Sequence, residues 1–172
     1  MPRTNVALVG FMGAGKSSVG RELALRLGKT FVESDVMVEQ RAGMSISDVF
    51  TRHGEAHFRD IEAAVVREAA QSEGCVIACG GGVVLREENV SALRASSVIV
   101  YLEVSSESVL QRLGPRSTVR PLLSGPDRQQ RVLELMEQRQ PVYLAVADIT
   151  VVTDDLTIGG VAGEIEEQLK RL

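Results

Sequence analysis

Along the chain, short continuous apolar runs take turns with longer stretches in which apolar residues return every three or four positions. The first run, Val6 to Val9, lacks the polar alternation of a half-exposed strand and predicts one covered on both faces. Cys75 to Cys79 (C-V-I-A-C), Ser97 to Leu102 and Ile149 to Val152 read the same way, and Thr30 to Val32 is a shorter member of the set. Between the first two strands, Val19, Leu23, Ala24 and Leu27 fall at helical spacing and Gly28 closes the helix. The segment V-M-V-E-Q-R-A ending at Gly43 predicts another helix, and Ser45 to Asp48 resembles a capping box ahead of Val49 and Phe50. Phe58, Ile61, Val65 and Ala69 form one stripe of a long helix over 54–71. Further helices are predicted around 87–93, from Ser105 or Ser106 to Leu113, and from Asp127 onward. A last helix carries Ile158, Val161, Ile165, Leu169 and Leu172, with Lys170 and Arg171 at its negative end.

The residues just past the first strand give the pattern a chemistry. Gly10 to Ser17, G-F-M-G-A-G-K-S, fits G-x-x-x-x-G-K-[ST] and opens directly onto the first helix. Glycines let consecutive N–H groups turn inward on a phosphate, which the helix N-terminus also favours. Gly13, Ala14, Gly15, Lys16, Ser17 and Ser18 are therefore the expected ATP-binding set. Lys16 is placed to reach the β- and γ-phosphates and the Ser17 hydroxyl to ligate Mg²⁺.

Strands alternating with helices mean a parallel sheet between helix layers. Five strands and this loop suit a three-layer α/β/α P-loop kinase core of the nucleoside-monophosphate-kinase type. Analogy with those kinases gives the strand order 2-3-1-4-5. Residues 1–172 form one domain, with a substrate-binding segment at about 33–62 and a lid at about 113–126.

Composition narrows the partners. The formal net charge is −4 and no block of like charges stands out, so nucleic acid is not the expected partner. The two cysteines, Cys75 and Cys79, complete neither a zinc site nor a disulfide framework, and read as buried apolar residues in a reducing compartment. No apolar run approaches the length of a membrane span, and the N-terminus runs straight into the phosphate loop without a signal peptide. The expectation is a cytoplasmic monomer with no membrane partner. The absence of N-K-x-D argues against a guanine-specific GTPase.

Phosphoryl transfer also needs cations around the migrating group and an oriented acceptor, and ligands of open α/β sheets gather at strand C-termini. Glu33 and Asp35 follow the second strand two residues apart. One could hold Mg²⁺ and the other accept a hydroxyl proton, or both could be a solvated pair starting a helix. Arg59 has Glu55 and Glu62 at helical spacing, compatible with a surface ion pair of about 0.3–0.5 kcal/mol or with an anion site. Arg139 continues the apolar stripe of Val132, Leu135 and Met136. A guanidinium on an inward face needs an anion, either a structural carboxylate or a substrate. Arg112, Arg116 and Arg120 cluster in and beside the proline- and glycine-containing stretch 114–126, as a lid closing over ATP would require, or simply as a solvated loop. Gly80, Gly81 and Gly82 end a buried strand, either as a tight turn or where a ligand meets backbone. Gly54 between His53 and His57 suggests a helix break, and these histidines are assigned no metal.

Taken in order, these pieces resemble the shikimate kinase family over nearly the whole chain. The resemblance rests on G-F-M-G-A-G-K-S-S, S-D-V-M-V-E-Q-R-A-G-M-S-I-S-D-V-F, F-R-x-x-E at 58–62, G-G-G at 80–82, V-R-P-L-L at 119–123 and R-Q-P-V-Y at 139–143. It implies ATP-dependent phosphorylation of the shikimate 3-hydroxyl, with Mg²⁺, on the route to chorismate and the aromatic amino acids. It further implies that Asp35 binds the acceptor hydroxyls and orients or deprotonates one. Arg59 and Arg139 would grip the carboxylate, with Glu62 holding Arg59, and Gly80 and Gly81 would meet the substrate. Arg120 would contact the ATP phosphates from the lid, joining Lys16 and Asp35 as catalytic residues, and Arg112 would flank the adenine. The chain departs from the family's D-x-D pattern in carrying Glu33, one methylene longer, at the first acidic position, where Mg²⁺ geometry is demanding. Competing readings are a gluconate or nucleoside-monophosphate kinase and a non-catalytic nucleotide-binding regulator.

Overall fold

The computed structural model describes residues 3–114 and 127–172. Its centre is β1 (Asn5–Val9), buried along its whole length. The apolar runs become β2 (Thr30–Glu33), β3 (Cys75–Ala78), β4 (Ser97–Glu103) and β5 (Ile149–Val152). All pair in parallel in the order β2-β3-β1-β4-β5. Central positions such as Ala7, facing Ile77 on one side and Ile99 on the other, carry no polar alternation because helices cover both faces. At the edge β5 does alternate, with Ile149 and Val151 buried and Thr150 and Val152 exposed. Cys75 and Cys79 are buried free thiols.

Seven helices flank the sheet among the described residues: α1 (Lys16–Leu27), α2 (Ser34–Ala42), α3 (Ile46–Gln71), α4 (Glu87–Ser96), α5 (Ser106–Leu113), α6 (Arg128–Val146) and α7 (Ile158–Leu169). Helices α1 and α7 pack on one another, as do α3 and α4, and α6 meets α5 and β4. No helix among them is long and apolar enough to cross a membrane.

The helix expected over 54–71 follows a preceding helical segment across a kink, and the two together make α3. Ser45 accepts from the Asp48 N–H at 3.1 Å and starts α3 at Ile46. Gly54, at φ 82° and ψ 171°, then supplies the expected break between two helical segments, a conformation only glycine enters freely. The expected apolar stripe of α7 is narrower than the pattern suggests. Val161 and Ile165 are buried, whereas Ile158 begins the helix exposed and Leu172 lies beyond its end.

The hydrophobic interior has two parts. The larger surrounds the sheet, and a smaller cluster of Val38, Val49, Phe58 and Val65 joins α2 to α3.

Candidate phosphoryl-transfer site

Beyond the C-terminal end of β1 the glycine loop turns into α1. Lys16 Nζ folds back over it, donating to the carbonyl oxygens of Gly10 at 2.8 Å and Phe11 at 2.9 Å. That pose brings the ammonium back to the start of the loop. Ser17 Oγ donates to Glu33 Oε1, and Arg21 Nη2 donates to Glu33 Oε2 at 2.9 Å. The Glu33 carboxylate therefore links the serine hydroxyl to Arg21. No cluster of three or more His, Cys, Asp or Glu able to hold a metal occurs among the described residues. Mg²⁺, however, commonly takes one or two protein oxygens and completes its shell with water and phosphate. The Ser17–Glu33 pair of hard oxygen donors fits that habit.

The rest of the cavity lining is assembled from four elements. Asp35 stands in the first turn of α2, Arg59 and Glu62 on α3, Gly80 to Gly82 after β3, and Arg139 on α6. These residues and Lys16, Ser17 and Glu33 line one cavity of about 800 Å³. Arg59 is not a surface residue. It is 8% exposed, lies over the Phe58 ring at 5.0 Å, and donates to Glu62 Oε2 at 2.7 Å and to Glu55 Oε1 at 3.3 Å. Glu62 is 1% exposed, and its Oε1 has no hydrogen-bond partner among the described residues. Burial pushes the Glu62 carboxyl above the usual range against the pull of Arg59, and the Asp35 charge adds to the rise. Arg139 is 4% exposed, in keeping with its place on the inward stripe of α6.

The glycine triplet is set by close approach. A methyl at Gly80 would lie 2.8 Å from Asp35 Oδ1 and 2.9 Å from Glu62 Oε1, and one at Gly82 would overlap the Arg59 guanidinium. The Gly80 N–H donates to Ser34 Oγ at 3.0 Å, fixing the turn to the start of α2.

At the glycine loop, Arg112 Nη1 reaches from α5 to the Gly13 carbonyl at 3.0 Å. Asp154, past β5, accepts from the Ser105 N–H and hydroxyl at 3.1 and 2.8 Å. Arg116, Arg120 and nearly all of the expected lid lie outside the described residues.

A family model described as shikimate kinase matches residues 12–170. The chain belongs to the shikimate kinase family. A shikimate kinase of Dehalococcoides mccartyi (strain ATCC BAA-2266 / KCTC 15142 / 195) is 42% identical over 98% of this chain and 94% of its own length. One from Vibrio parahaemolyticus is 45% identical over 98% and 97%. The solved shikimate kinase from Acinetobacter baumannii in complex with shikimate superposes with a TM-score of 0.94 at 36% identity, covering 98% of this chain and 93% of that one.

Within this family site, several side chains escape a reading by sequence. Arg21 holds the far oxygen of Glu33, and Ser34 holds Gly80. Tyr143, buried one turn after Arg139, donates its hydroxyl to the Gly81 carbonyl. Only the last had a signal, since its i,i+4 spacing from Arg139 puts both on one helix face.

Proposed function

We infer that this protein transfers the γ-phosphoryl group of ATP to the 3-hydroxyl of shikimate. The observation that carries the reading is the single cavity in which a phosphate loop meets an aspartate and two buried arginines. Shikimate offers one carboxylate and several hydroxyls. Bidentate guanidinium contacts suit the first, and a carboxylate acceptor suits the second. The glycine loop, Lys16 and Ser17 hold the triphosphate. Arg59 and Arg139 bind the carboxylate of shikimate, and Asp35 with the Gly80–Gly81 backbone fixes the ring so that one hydroxyl faces the γ-phosphorus. As that oxygen bonds to phosphorus, the bond from phosphorus to the bridging oxygen of ADP breaks and the hydroxyl proton passes to Asp35. Lys16, and Arg120 from a lid over 113–126, neutralise charge on the migrating group. Ser17 and Glu33 would hold Mg²⁺ with the phosphates, and the ion would supply further positive charge there.

The test is ADP release with ATP, Mg²⁺ and a panel of acceptors. Turnover is expected with shikimate. ADP formation with gluconate or a nucleoside monophosphate, and none with shikimate, would overturn the reading.

A further inference from the structure

The three carbonyls of the glycine turn are held in different ways. Gly80 O accepts from the Val83 N–H and Gly82 O from the Leu85 N–H, both at 3.1 Å, within the turn itself. Gly81 O accepts instead from the Tyr143 hydroxyl, on an element 62 residues away. Tyr143 is 1% exposed, its ring stacks on Tyr101 of β4 at 5.1 Å with the planes 19° apart, and burial pushes its phenol up to about 12 against the pull of the Arg139 charge one turn earlier on α6. Arg139 in turn lies close to the glycines, its Nη1 3.7 Å from where a methyl on Gly81 would be. One oxygen thus ties the helix carrying a buried cation to the middle peptide of the turn. The ring behind it is clamped by packing and cannot swing away at little cost.

We propose that Tyr143 is a positioning residue that locks Arg139 to the Gly81 carbonyl, so that the carboxylate-binding guanidinium and the glycine backbone meet the acceptor in fixed register. The inference rests on the acceptor site assigned under the proposed function. It asks nothing of Tyr143 as an acid or base. Its hydroxyl acts only by holding two groups in place, and the nucleotide half of the cavity is untouched by it. Removing the oxygen while keeping the ring isolates that role, because the Tyr101 stack survives in a phenylalanine.

The experiment is steady-state kinetics and shikimate titration of Tyr143→Phe, alone and combined with Arg139→Ala. Loss of one organising hydrogen bond should raise the shikimate KM and Kd roughly 2- to 10-fold. The ATP KM and kcat should stay within about twofold, as expected when binding common to ground and transition states is lost. In the Arg139→Ala background the same change should have no further effect on shikimate affinity, because the partner through which Tyr143 acts is gone. A lower melting temperature with unchanged shikimate KM would make Tyr143 merely structural and overturn the proposal, as would full additivity of the two substitutions. Should Tyr143→Phe fail to fold, wild-type protein labelled at tyrosine Cζ decides. The Tyr143 carbon resonance must then shift when shikimate is added, and no shift overturns the proposal. Wild-type protein without shikimate-dependent ADP release would instead reject the acceptor assignment itself.

Discussion

Gly82 is as constrained as any side chain in the acceptor site. Its φ of −98° and ψ of 8° are open to alanine, so the nearest objection to a methyl there is the Arg59 guanidinium. Gly82→Ala should therefore fold normally, displace Arg59 from its bond to Glu62, and raise the shikimate KM roughly 10- to 100-fold, the scale of a hydrogen bond to a charged group. The ATP KM should hold. Kinetics with each substrate varied in turn would check this, and an unchanged shikimate KM would remove the contact from the site. At this scale the sequence was partly legible. Arg139 announced itself because it continued an apolar stripe, and Lys16 because its motif carries its own geometry. Gly82 did not, since its reason for being glycine is a guanidinium 23 positions earlier in the chain, brought over it only by the fold. Nor did Arg59 settle itself, because Glu55 and Glu62 at helical spacing describe a solvated pair as well as a buried one.

Of the two edge strands, β5 alternates between buried and exposed positions, and one carboxylate anchors its start. Asp148 accepts from the Ile99 N–H at 2.8 Å and pairs with Arg3 at 2.7 Å, joining β4 and the chain's beginning. Burial alone would raise this carboxyl, but the Arg3 and Ile99 hydrogen bonds outweigh it and hold the group below the usual range. A folded pKa below the unfolded one contributes stability above the ordinary Asp value of about 3.9, lost as pH falls through the depressed folded value. Asp148→Asn should accordingly cost about 1 kcal/mol near neutrality, and the gap to wild type should close in acid. Urea unfolding of both proteins across that range would show it, and a gap independent of pH would contradict it. Strand and helix boundaries followed from hydrophobic period because each period reports which faces are covered. The two ends of α3's first segment were legible as well, since Ser45 caps it and Gly54 breaks it, as their residue types require.

For the whole molecule, the important arrangement is that phosphate loop and acceptor residues open into the same space. Any ligand filling it bridges several elements and must stabilise all of them together. Shikimate at a hundredfold excess over its Kd should add about 2.7 kcal/mol to the folded state, which in a chain of this size moves Tm by roughly 5–10 °C. Arg139→Ala should show no such rise at the same concentration. Scanning calorimetry distinguishes the outcomes, and an equal rise in both proteins would place the carboxylate elsewhere. The parallel sheet and its helix layers could be read from alternation of elements, and the strand order by analogy. The joining of two half-sites could not, because it depends on how α2, α3 and α6 lean over the strand ends.

The small cluster of Val38, Val49, Phe58 and Val65 gives α2 and the front of α3 an interior of their own, largely apart from the packing that supports the phosphate loop. Asp35 and Arg59 thus stand on elements with a small interior of their own, whereas Gly80–Gly82 and Arg139 stand on the main core that also carries the phosphate loop. Repacking the small cluster would therefore move Asp35 and Arg59 relative to Arg139 and the glycine turn, so the spacing between the two buried arginines depends on where two separate interiors meet.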